Sequence, residues 1–248
     1  MLRRFMFPSS IPAAIGRRFV FISDLHYHAT ADEERRMRAL AAALAECRAD
    51  AIFLGGDAVG DACHLRGLPA ILRLLAGCAP KAFAVPGNWE RGKRWLDIDV
   101  WRGLYGEGGF EFLCNESRDF GPFFVYGSDD LIHGHPEPPP RCGGGGRFRI
   151  LLTHRPDAVI AFDSGERLSD WQLALCGHTH GGQWRLPWAG ACFVPGFYRR
   201  RFDRGWFGRR NGSLRMFVSS GAGELSLPGR LFCPREALLV EVVSGAKV

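Results

Sequence analysis

Short apolar runs, each followed by a polar side chain, recur through the first third of the chain. These runs occupy residues 18–23, 51–54 and 82–85, and the polar residues that follow them are Asp24, Asp57 and Asn88. Apolar runs bounded by glycine or proline are typical of buried strands. The pattern therefore predicts three strands that each end near a side chain able to bind a cation.

Two helical patterns separate these strands. Residues 31–47 carry apolar residues at helical spacing, and Thr30 with Glu33 forms a capping box at their start. Residues 65–76 predict a second helix. Alternating strands and helices favour parallel strands joined by right-handed crossovers. Because open α/β sheets bind ligands beyond the carboxyl ends of their strands, the three polar residues are predicted to share one edge.

The second half of the chain is richer in β-structure. Strands are predicted at residues 110–113, 123–126, 148–152, 172–176, 191–194, 214–219 and 237–243. Residues 136–146 contain runs of proline and glycine, which predict a loop. The predicted fold class is mixed α/β, with β-α-β units in the N-terminal half. Residues 1–17 are interpreted as a basic N-terminal tail, and residues 18–248 as a single domain.

Composition limits the class of protein only broadly. The chain has 248 residues, of which 46% are hydrophobic and 23% charged, and its formal net charge is +6. These values are ordinary for a globular protein, and the length allows one domain with a large core or two smaller domains. The positive charge favours anionic partners, such as phosphates, nucleic acid or an acidic lipid surface. A generally basic surface without such a partner is the alternative.

Cysteine usage and the N-terminal segment bear on location. Eight cysteines are scattered without a C-x-x-C pair, and we interpret them as buried, reduced thiols of a cytoplasmic protein. No run reaches the ~20 apolar residues that span a bilayer. In the tail, Arg3 and Arg4 precede three apolar residues before Pro8 interrupts them. We interpret the tail as disordered, with contact to a membrane surface as the alternative.

Five short motifs that follow apolar runs supply metal-ligand side chains. They are Asp24-Leu25-His26, Gly56-Asp57, Gly87-Asn88, Thr153-His154 and Gly177-His178-Thr179-His180. Each motif alone is weak evidence, because Gly-Asp and Gly-Asn are common in turns. Together they supply two carboxylates, one amide oxygen and four imidazoles. This set suits two divalent cations, of manganese, iron or zinc, that share the Asp57 carboxylate.

The chemistry of such a site follows from its charge. Two divalent cations, two aspartates and a bridging hydroxide leave a net positive site that attracts phosphate oxygens. Metal-bound water ionises near neutral pH, so the expected nucleophile is a metal-bound hydroxide. Asp24 and His26, two residues apart at a strand end expected to be extended, should point to one side. We expect Asp57, Asn88 and His154 to be catalytic as well as metal-binding.

These blocks resemble those of the calcineurin-like metallophosphoesterases over about residues 18–243. The longer block 177–183, the segment 220–223 with Arg230, and the segment 234–236 are similar to a bacterial branch that includes membrane-associated phosphoesterases. The resemblance implies a two-sheet β sandwich flanked by helices. It assigns to one cation the ligands Asp24, His26, Asp57 and His180. It assigns to the other the ligands Asp57, Asn88, His154 and His178.

One residue departs from the family pattern. The family commonly follows the metal-binding asparagine with a histidine that assists the leaving group, and this chain has Trp89 there. An indole can donate a hydrogen bond but cannot deliver a proton at neutral pH. Trp89 is therefore predicted to contact the substrate and to favour leaving groups of low pKa, such as the phosphate expelled from a pyrophosphate. His28 is a substitute acid, with a surface role equally open.

The same departure suggests a substrate. The UDP-2,3-diacylglucosamine hydrolases, on a similar fold, also lack a histidine at this position. The resemblance therefore suggests UDP-2,3-diacylglucosamine, a lipid-linked nucleotide sugar of lipid A biosynthesis. A membrane-associated substrate would place the protein peripherally at the inner face of the membrane.

A basic and aromatic segment follows the last metal motif. Residues 197–210 contain six arginines among five aromatic residues. Arg199, Arg200 and Arg201 are predicted to bind substrate phosphate or an anionic membrane, because arginine binds phosphate bidentately and aromatic rings lie at headgroup depth. Nucleic acid is the less favoured partner, and a solvated loop is the structural alternative.

Three functional hypotheses are consistent with the sequence. The first is a dinuclear-metal phosphohydrolase that cleaves a pyrophosphate or phosphodiester bond. The second is a general phosphodiesterase or phosphatase with other substrates. The third is a non-catalytic, metal-bearing scaffold that binds membrane, in which Trp89 marks lost catalysis. The complete ligand set favours the enzymes, since a scaffold does not need an open dinuclear centre.

Overall fold

The apolar runs form the strands of two large sheets in the structure, a computed structural model that describes residues 1–92, 96–141, 146–208, 214–225 and 229–245. The helices are α1 (Ala31–Ala45), α2 (Leu68–Ala76), α3 (Asn88–Gly92), α4 (Ile98–Glu107) and α5 (Pro156–Phe162). The strands are β1 (Leu2–Ser9), β2 (Arg18–Ile22), β3 (Ala51–Leu54), β4 (Ala82–Ala84), β5 (Glu111–Phe112), β6 (Glu116–Phe120), β7 (Phe123–Gly127), β8 (Phe148–Leu152), β9 (Leu173–Cys176), β10 (Arg185–Leu186), β11 (Gly190–Ala191), β12 (Gly205–Gly208), β13 (Arg215–Val218) and β14 (Ala237–Ser244).

The order of the strands places the metal motifs on neighbouring strands. The first sheet has the order β1-β14-β2-β3-β4-β5, and the second has the order β12-β13-β9-β8-β7-β6. Strands β2 to β5 are parallel to one another, as predicted for the first three of them. Strands β7, β8, β9 and β13 are also parallel. The fold class is therefore confirmed as a mixed α/β structure of two sheets flanked by helices.

The core lies in three layers because side chains alternate between the faces of each sheet. Phe19 and Phe21 of β2 pack between the sheets, whereas Val20 and Ile22 pack among the residues of α1, α2 and α4. Aromatic rings fill the middle layer, where each fully buried ring contributes roughly 1.5–3 kcal/mol to stability. Helix α5 covers the outer face of the second sheet. The two sheets are thus held face to face by an apolar layer.

The predicted capping box of α1 is present. The backbone N–H of Glu33 donates to Thr30 Oγ1 at 3.2 Å, and the backbone N–H of Thr30 donates to Glu33 Oε2 at 3.2 Å. The predicted helix over residues 65–76 is shorter than expected, because a 3₁₀ segment, Ala62–Gly67, precedes α2. Pro69 at the start of α2 fits the preference of proline for the first helical turn.

The expectation of disorder for residues 1–17 is wrong. Leu2–Ser9 forms β1, which pairs in parallel with β14 from Leu2 opposite Ala237 to Ser9 opposite Ser244. Phe7 is buried between the sheets, and the Phe5 ring stacks on Trp206 with 3.9 Å between the ring centroids. The pairing partner lies more than two hundred residues away, so local sequence could not reveal it.

Elements of the second half were predicted less completely. The strand expected at residues 191–194 is wrong, because only Ala191 is in a strand, the two-residue β11. Strands β6, β10 and β12 and helices α3, α4 and α5 were not predicted. In the described part of the loop 136–146 there is no helix or strand, and residues 142–145 lie outside the described residues. Arg209 and Arg210 of the basic segment also lie outside them.

Candidate dinuclear metal centre

The five motifs meet at one edge of the two sheets. Asp24, Asp57 and Asn88 follow the carboxyl ends of β2, β3 and β4, which are neighbours in the first sheet. His154 and His178 follow β8 and β9, which are neighbours in the second sheet. Because parallel strands end at the same edge, both sheets deliver their polar side chains to a single region.

The backbone at this edge is strained. Five of the seven predicted ligands have a left-handed φ, namely Asp24 (52°), His26 (40°), Asp57 (52°), His178 (71°) and His180 (51°). Such a conformation costs a non-glycine residue on the order of 1–3 kcal/mol and persists only where surrounding contacts impose it. Its concentration at the metal motifs points to a functional site.

The expectation that Asp24 and His26 lie on an extended strand end is therefore wrong. Strand β2 ends at Ile22, and both residues lie beyond it with positive φ. The backbone N–H of Asp24 donates to Gly56 O, and that of His26 donates to Asp57 O, each at 3.0 Å. These bonds to the neighbouring loop bring the two side chains together.

The first cluster of ligand atoms contains Asp24, His26 and His180, all buried. His26 Nε2 lies 3.1 Å from His180 Nε2, and His180 Nε2 lies 3.4 Å from Asp24 Oδ1. Two donors that bind one cation at about 2.1 Å are separated by roughly 3.0–3.4 Å. The spacing of this cluster therefore fits a single cation.

The second cluster contains Asp24, Asp57 and His154, which are also buried. His154 Nε2 lies 3.3 Å from Asp57 Oδ2, 3.0 Å from Asn88 Oδ1 and 3.2 Å from His178 Nδ1. His154 Nδ1 donates to Gly55 O at 2.7 Å, which leaves Nε2 as the atom directed at its neighbours. Two imidazoles, a carboxylate and an amide oxygen thus lie close enough together to form a candidate second cation position.

Asp24 and Asp57 differ in which oxygen atoms remain available. Asp24 Oδ2 accepts from the Ser23 hydroxyl at 2.5 Å, and both its oxygens accept from the backbone N–H of His178. Asp57 Oδ1 accepts from the backbone N–H of Trp89 at 2.8 Å. Asp57 Oδ2 lies between the clusters, 3.6 Å from His26 Nε2 and 3.3 Å from His154 Nε2. Although the two clusters share Asp24, this geometry makes Asp57 Oδ2 the better candidate bridge.

A further observation supports the fit of this set of donor atoms to two divalent cations. His180 Nδ1 is buried and lacks a hydrogen-bond partner among the described residues, so its Nε2, directed at Asp24, is the ring atom in use. A buried collection of carboxylate, amide and imidazole donors without cations would leave charges and lone pairs uncompensated. The chemistry of the site therefore fits manganese, iron or zinc.

Burial and mutual attraction shift the pKa values of the ligands. Burial raises the pKa of Asp24 to about 7 and lowers the pKa of His26 to about 4. Burial alone would raise the pKa of Asp57, but attraction to His154 and His26 holds it well below its usual range. Burial would lower the pKa of His154, yet the Asp57 and Asp24 carboxylates outweigh it and raise the pKa to about 10. The metal-free site therefore keeps a proton on His154 at neutral pH.

Metal binding is expected to release protons. A cation must displace the proton of His154 and the fraction bound to Asp24, so apparent affinity should rise between about pH 7 and pH 10 by up to about tenfold per pH unit. His26 is already neutral in this range and contributes no proton. Titration calorimetry of metal-free protein with Mn²⁺, in buffers of different ionisation enthalpy, measures the protons released. An affinity independent of pH, with no proton release, would contradict this electrostatic account.

Glu90 is a site residue that the sequence analysis did not single out. It is buried, and its carboxylate accepts from the backbone N–H groups of Asp57 (3.0 Å), Ala58 (2.9 Å) and Gly87 (2.8 Å) and from the Tyr105 hydroxyl (2.8 Å). It therefore ties the loop after β3 to the loop after β4, and so fixes Asp57 relative to Asn88. Its place directly after Trp89 was the available signal.

Arg155 is a second residue that was missed. Its Nε donates to Asp130 Oδ2 at 2.8 Å, and its Nη1 lies 2.7 Å from His178 Nε2. Asp130 is itself buried and accepts from the backbone N–H of His133 at 2.8 Å. This chain of contacts orients the His178 ring from outside the ligand cluster. Its position next to His154 was the only sequence signal.

Gly87 is required for close packing at the bridge. A Cβ at Gly87 would collide with Asp57 Oδ1 and lie 2.5 Å from the Asp57 backbone nitrogen. We expect Gly87→Ala to displace Asp57, with activity and bound metal both falling at least about tenfold. Gly103→Ala is the matched control, because a Cβ there meets no atom within 4 Å. Metal analysis of both variants with an activity assay tests this, and equal activity in the two would contradict it.

The other predicted site residues have different surroundings. Trp89 is half-buried, and its ring meets the His26 ring edge to face with 5.4 Å between centroids. The His28 ring packs against Gly60 and has its centroid 5.6 Å from that of His64. Arg199, Arg200 and Arg201 are exposed in a 3₁₀ segment, and Arg200 Nη1 reaches Ala189 O at 3.5 Å.

Comparison with known proteins identifies the family of this chain. The profile of the calcineurin-like phosphoesterases matches residues 17–182. The chain is 32% identical to phosphodiesterase YaeI of Escherichia coli (strain K12), over 91% of this chain and 82% of that protein. It is 29% identical to the uncharacterized metallophosphoesterase YkuE of Bacillus subtilis (strain 168), over 77% of this chain and 67% of that protein.

A solved structure shows a weaker likeness. A dimetal phosphatase from Danio rerio aligns with a TM-score of 0.48 at 13% identity, covering 84% of this chain and 88% of that one, and this level of similarity supports no conclusion about function.

The family match and the identity to YaeI show that the chain belongs to the calcineurin-like phosphoesterase family. It is a metal-dependent phosphoesterase with a dinuclear centre.

Proposed function

We propose that the protein hydrolyses a phosphodiester or pyrophosphate bond in an amphiphilic substrate. The observation that carries this proposal is the position of Asp57 Oδ2 between His26 Nε2 of the first cluster and His154 Nε2 of the second. Bound cations at such a site supply positive charge to phosphoryl oxygens and lower the pKa of the water that acts as nucleophile. The similar protein YaeI is named a phosphodiesterase, which supports the diester alternative.

The ligands are proposed to divide between the two cations as the family resemblance implies. One cation would be held by Asp24, His26, Asp57 and His180. The other would be held by Asp57, Asn88, His154 and His178. The short separations within each group support this division. Glu90 and Arg155 are proposed as positioning residues, because they contact the ligands or their backbone from outside the clusters.

Trp89 is proposed to contact the substrate and to limit it. The Trp89 ring lies beside the His26 ring, and its indole N–H can donate a hydrogen bond but cannot transfer its proton to a leaving oxygen at neutral pH. A pyrophosphate expels a phosphate of low pKa, so it reacts without such a proton. UDP-2,3-diacylglucosamine combines a pyrophosphate with acyl chains and is the specific substrate that we propose. His28 is the substitute acid if a basic leaving group is used.

Arg199, Arg200 and Arg201 are proposed to hold anionic groups of the substrate or of a lipid surface. Their exposure and their location in the segment after the His178 motif support this role. The expectation that the cysteines are buried is wrong for Cys63 and Cys192, which are exposed. The described cysteines are free thiols, which supports a reducing location, and we propose a cytoplasmic protein at the inner face of the membrane. No helix among the described residues is long and apolar enough to cross a bilayer.

A hydrolysis screen tests the proposed substrate class. UDP-2,3-diacylglucosamine, other nucleoside diphosphate sugars and simple alkyl phosphodiesters would be compared at equal concentration with Mn²⁺ present, and Asp57→Asn protein would serve as the inactive control. We expect the highest kcat/KM for the acylated pyrophosphate. Faster cleavage of alkyl diesters would leave the enzyme class intact and overturn the pyrophosphate proposal.

A further inference from the structure

Exposed apolar side chains are concentrated on one surface. Of the thirteen large hydrophobic residues exposed among the described residues, eight lie in two segments, 184–198 and 231–232. They are Trp184, Leu186, Trp188, Phe193, Phe197, Tyr198, Leu231 and Phe232, which we call the apolar rim. The four most exposed are Trp188 (89%), Phe197 (71%), Phe193 (69%) and Phe232 (63%). A concentration of this kind on a folded protein marks an interaction surface.

The backbone beneath the apolar rim is held in place. Strands β10 and β11 pair as a short antiparallel hairpin, and Trp184 forms a bridge to Leu231. The backbone N–H of Arg185 donates to Leu231 O at 2.9 Å, and that of Phe197 donates to Asp157 Oδ1 at 2.8 Å. The two rim segments therefore form one surface, whose side chains remain exposed although the chain that carries them is hydrogen-bonded.

The apolar rim adjoins the metal centre. His180, a residue of the first cluster, begins the 3₁₀ segment His180–Gly182, and Trp184 is the second residue after that segment. Gly182 packs closely against Ala191 and against the carbonyl of Phe193. Any binding partner that covers the apolar rim would therefore lie beside the metal-binding edge of the two sheets.

The chain segment that carries most of the rim has positive charges only. From residue 184 to residue 202 the chain contains four arginines and no aspartate or glutamate. Arg185 is paired with Asp203 at 2.6 Å, whereas Arg199, Arg200 and Arg201 are exposed. The contact from Arg200 to Ala189 O places this basic group next to Trp188. Aromatic side chains next to exposed arginines are complementary to an acidic lipid headgroup region, where rings enter the interface and guanidinium groups meet phosphates.

We infer that the apolar rim, together with Arg199, Arg200 and Arg201, docks the protein onto an anionic phospholipid bilayer, with the metal centre beside the headgroups. The inference deepens the proposed function, and rests on it only in taking the substrate to be amphiphilic. Bilayer binding requires no turnover, so the two can fail separately. A second copy of the chain would also cover the aromatic side chains, but it would bring the same positive segment, residues 184–202, against itself. A protein partner is an outcome of the test below, whereas aromatic rings beside exposed arginines match a lipid headgroup region.

Vesicle binding by the full chain tests the inference. Vesicles of mixed phosphatidylglycerol and phosphatidylcholine, and vesicles of phosphatidylcholine alone, would be floated with wild-type protein and with the double variant Trp188→Ala/Phe193→Ala. We expect binding to the anionic vesicles only, and at least about tenfold weaker binding by the variant. The control variant Val100→Ala/Ile132→Ala, which removes exposed apolar residues elsewhere, should bind like wild type.

Two further measurements distinguish insertion from adsorption. Lipids with brominated acyl chains should quench tryptophan fluorescence in wild type, and less so in Trp188→Phe. Replacing the three arginines with glutamine should weaken binding roughly 100-fold at low ionic strength, and less at high salt.

Four outcomes would overturn the inference. They are failure of wild type to bind anionic vesicles, equal binding by the rim variant, unchanged quenching in Trp188→Phe, and self-association that depends on Trp188 without vesicle binding. Hydrolysis of a soluble aryl phosphodiester should be unchanged in the rim variant. If wild-type protein binds vesicles but does not hydrolyse the aryl phosphodiester, the proposed function is refuted and the bilayer inference stands.

Discussion

Replacing Asp57 with alanine is expected to lower phosphodiester hydrolysis by at least about 10³-fold, more than the loss of a typical oxyanion hydrogen-bond donor. Asp57 Oδ2 lies 3.6 Å from His26 Nε2 and 3.3 Å from His154 Nε2, so its removal takes an anionic ligand from both cation positions. Bound metal should fall with activity. Elemental analysis and an assay on a bis-aryl phosphodiester measure both quantities.

Two companion variants make the Asp57 experiment specific. Asp57→Asn keeps an oxygen that can accept from the Trp89 N–H but removes the charge, so it should lose metal while retaining the fold. Asp119→Ala removes an exposed carboxylate paired with Arg147 on the surface, and such pairs contribute roughly 0–1 kcal/mol. Asp119→Ala should therefore keep full activity. Full activity in Asp57→Ala would contradict the shared-carboxylate model.

The second large effect concerns the leaving group. Because Trp89 cannot deliver a proton, rates on a series of substituted aryl phosphodiesters should fall steeply as the pKa of the leaving phenol rises. Proton transfer from a placed acid is worth about 10²–10⁴-fold, so the slowest and fastest members should differ by a comparable factor. Steady-state kcat/KM across the series gives this dependence as the slope of a linear free-energy plot.

Two substitutions at Trp89 separate proton transfer from simple contact. Trp89→Phe keeps an aromatic ring beside His26 and still cannot deliver a proton, so its slope should stay steep. Trp89→His should flatten the slope where the imidazole reaches the leaving oxygen. A shallow slope in the unmodified protein would mean that another acid acts there. If His28→Gln then lowered the rate on substrates with basic leaving groups, His28 would be identified as that acid.

The sequence was most informative where local signals are strong. The capping box of Thr30 and Glu33, the apolar runs of β2 and β3, and the parallel order of β2, β3 and β4 follow from composition and spacing. The convergence of the metal motifs follows from the same pattern, because parallel strands end at one edge. These predictions needed no knowledge of distant contacts.

The remaining features depend on contacts between distant segments. The pairing of β1 with β14 joins the two ends of the chain, and no local pattern identifies such a partner. The left-handed backbone of Asp24 and His26 results from bonds to Gly56 O and Asp57 O, which exist only once β2 and β3 have paired.

The role of Glu90 has the same origin. The Glu90 carboxylate accepts hydrogen bonds from the loop after β3 and from the loop after β4, and these loops meet only when the first sheet has folded. Its residue type and its place after Trp89 were visible in the sequence, but its acceptor role was not.

Metal titration of the wild-type protein tests the central claim most directly. Chelator-treated protein would be titrated with Mn²⁺ while bound metal and hydrolysis of a bis-aryl phosphodiester are measured on the same samples. We expect two cations per chain, one for each cluster, with activity that follows occupancy of the second. Full activity with one cation per chain, or with none, would contradict the dinuclear centre.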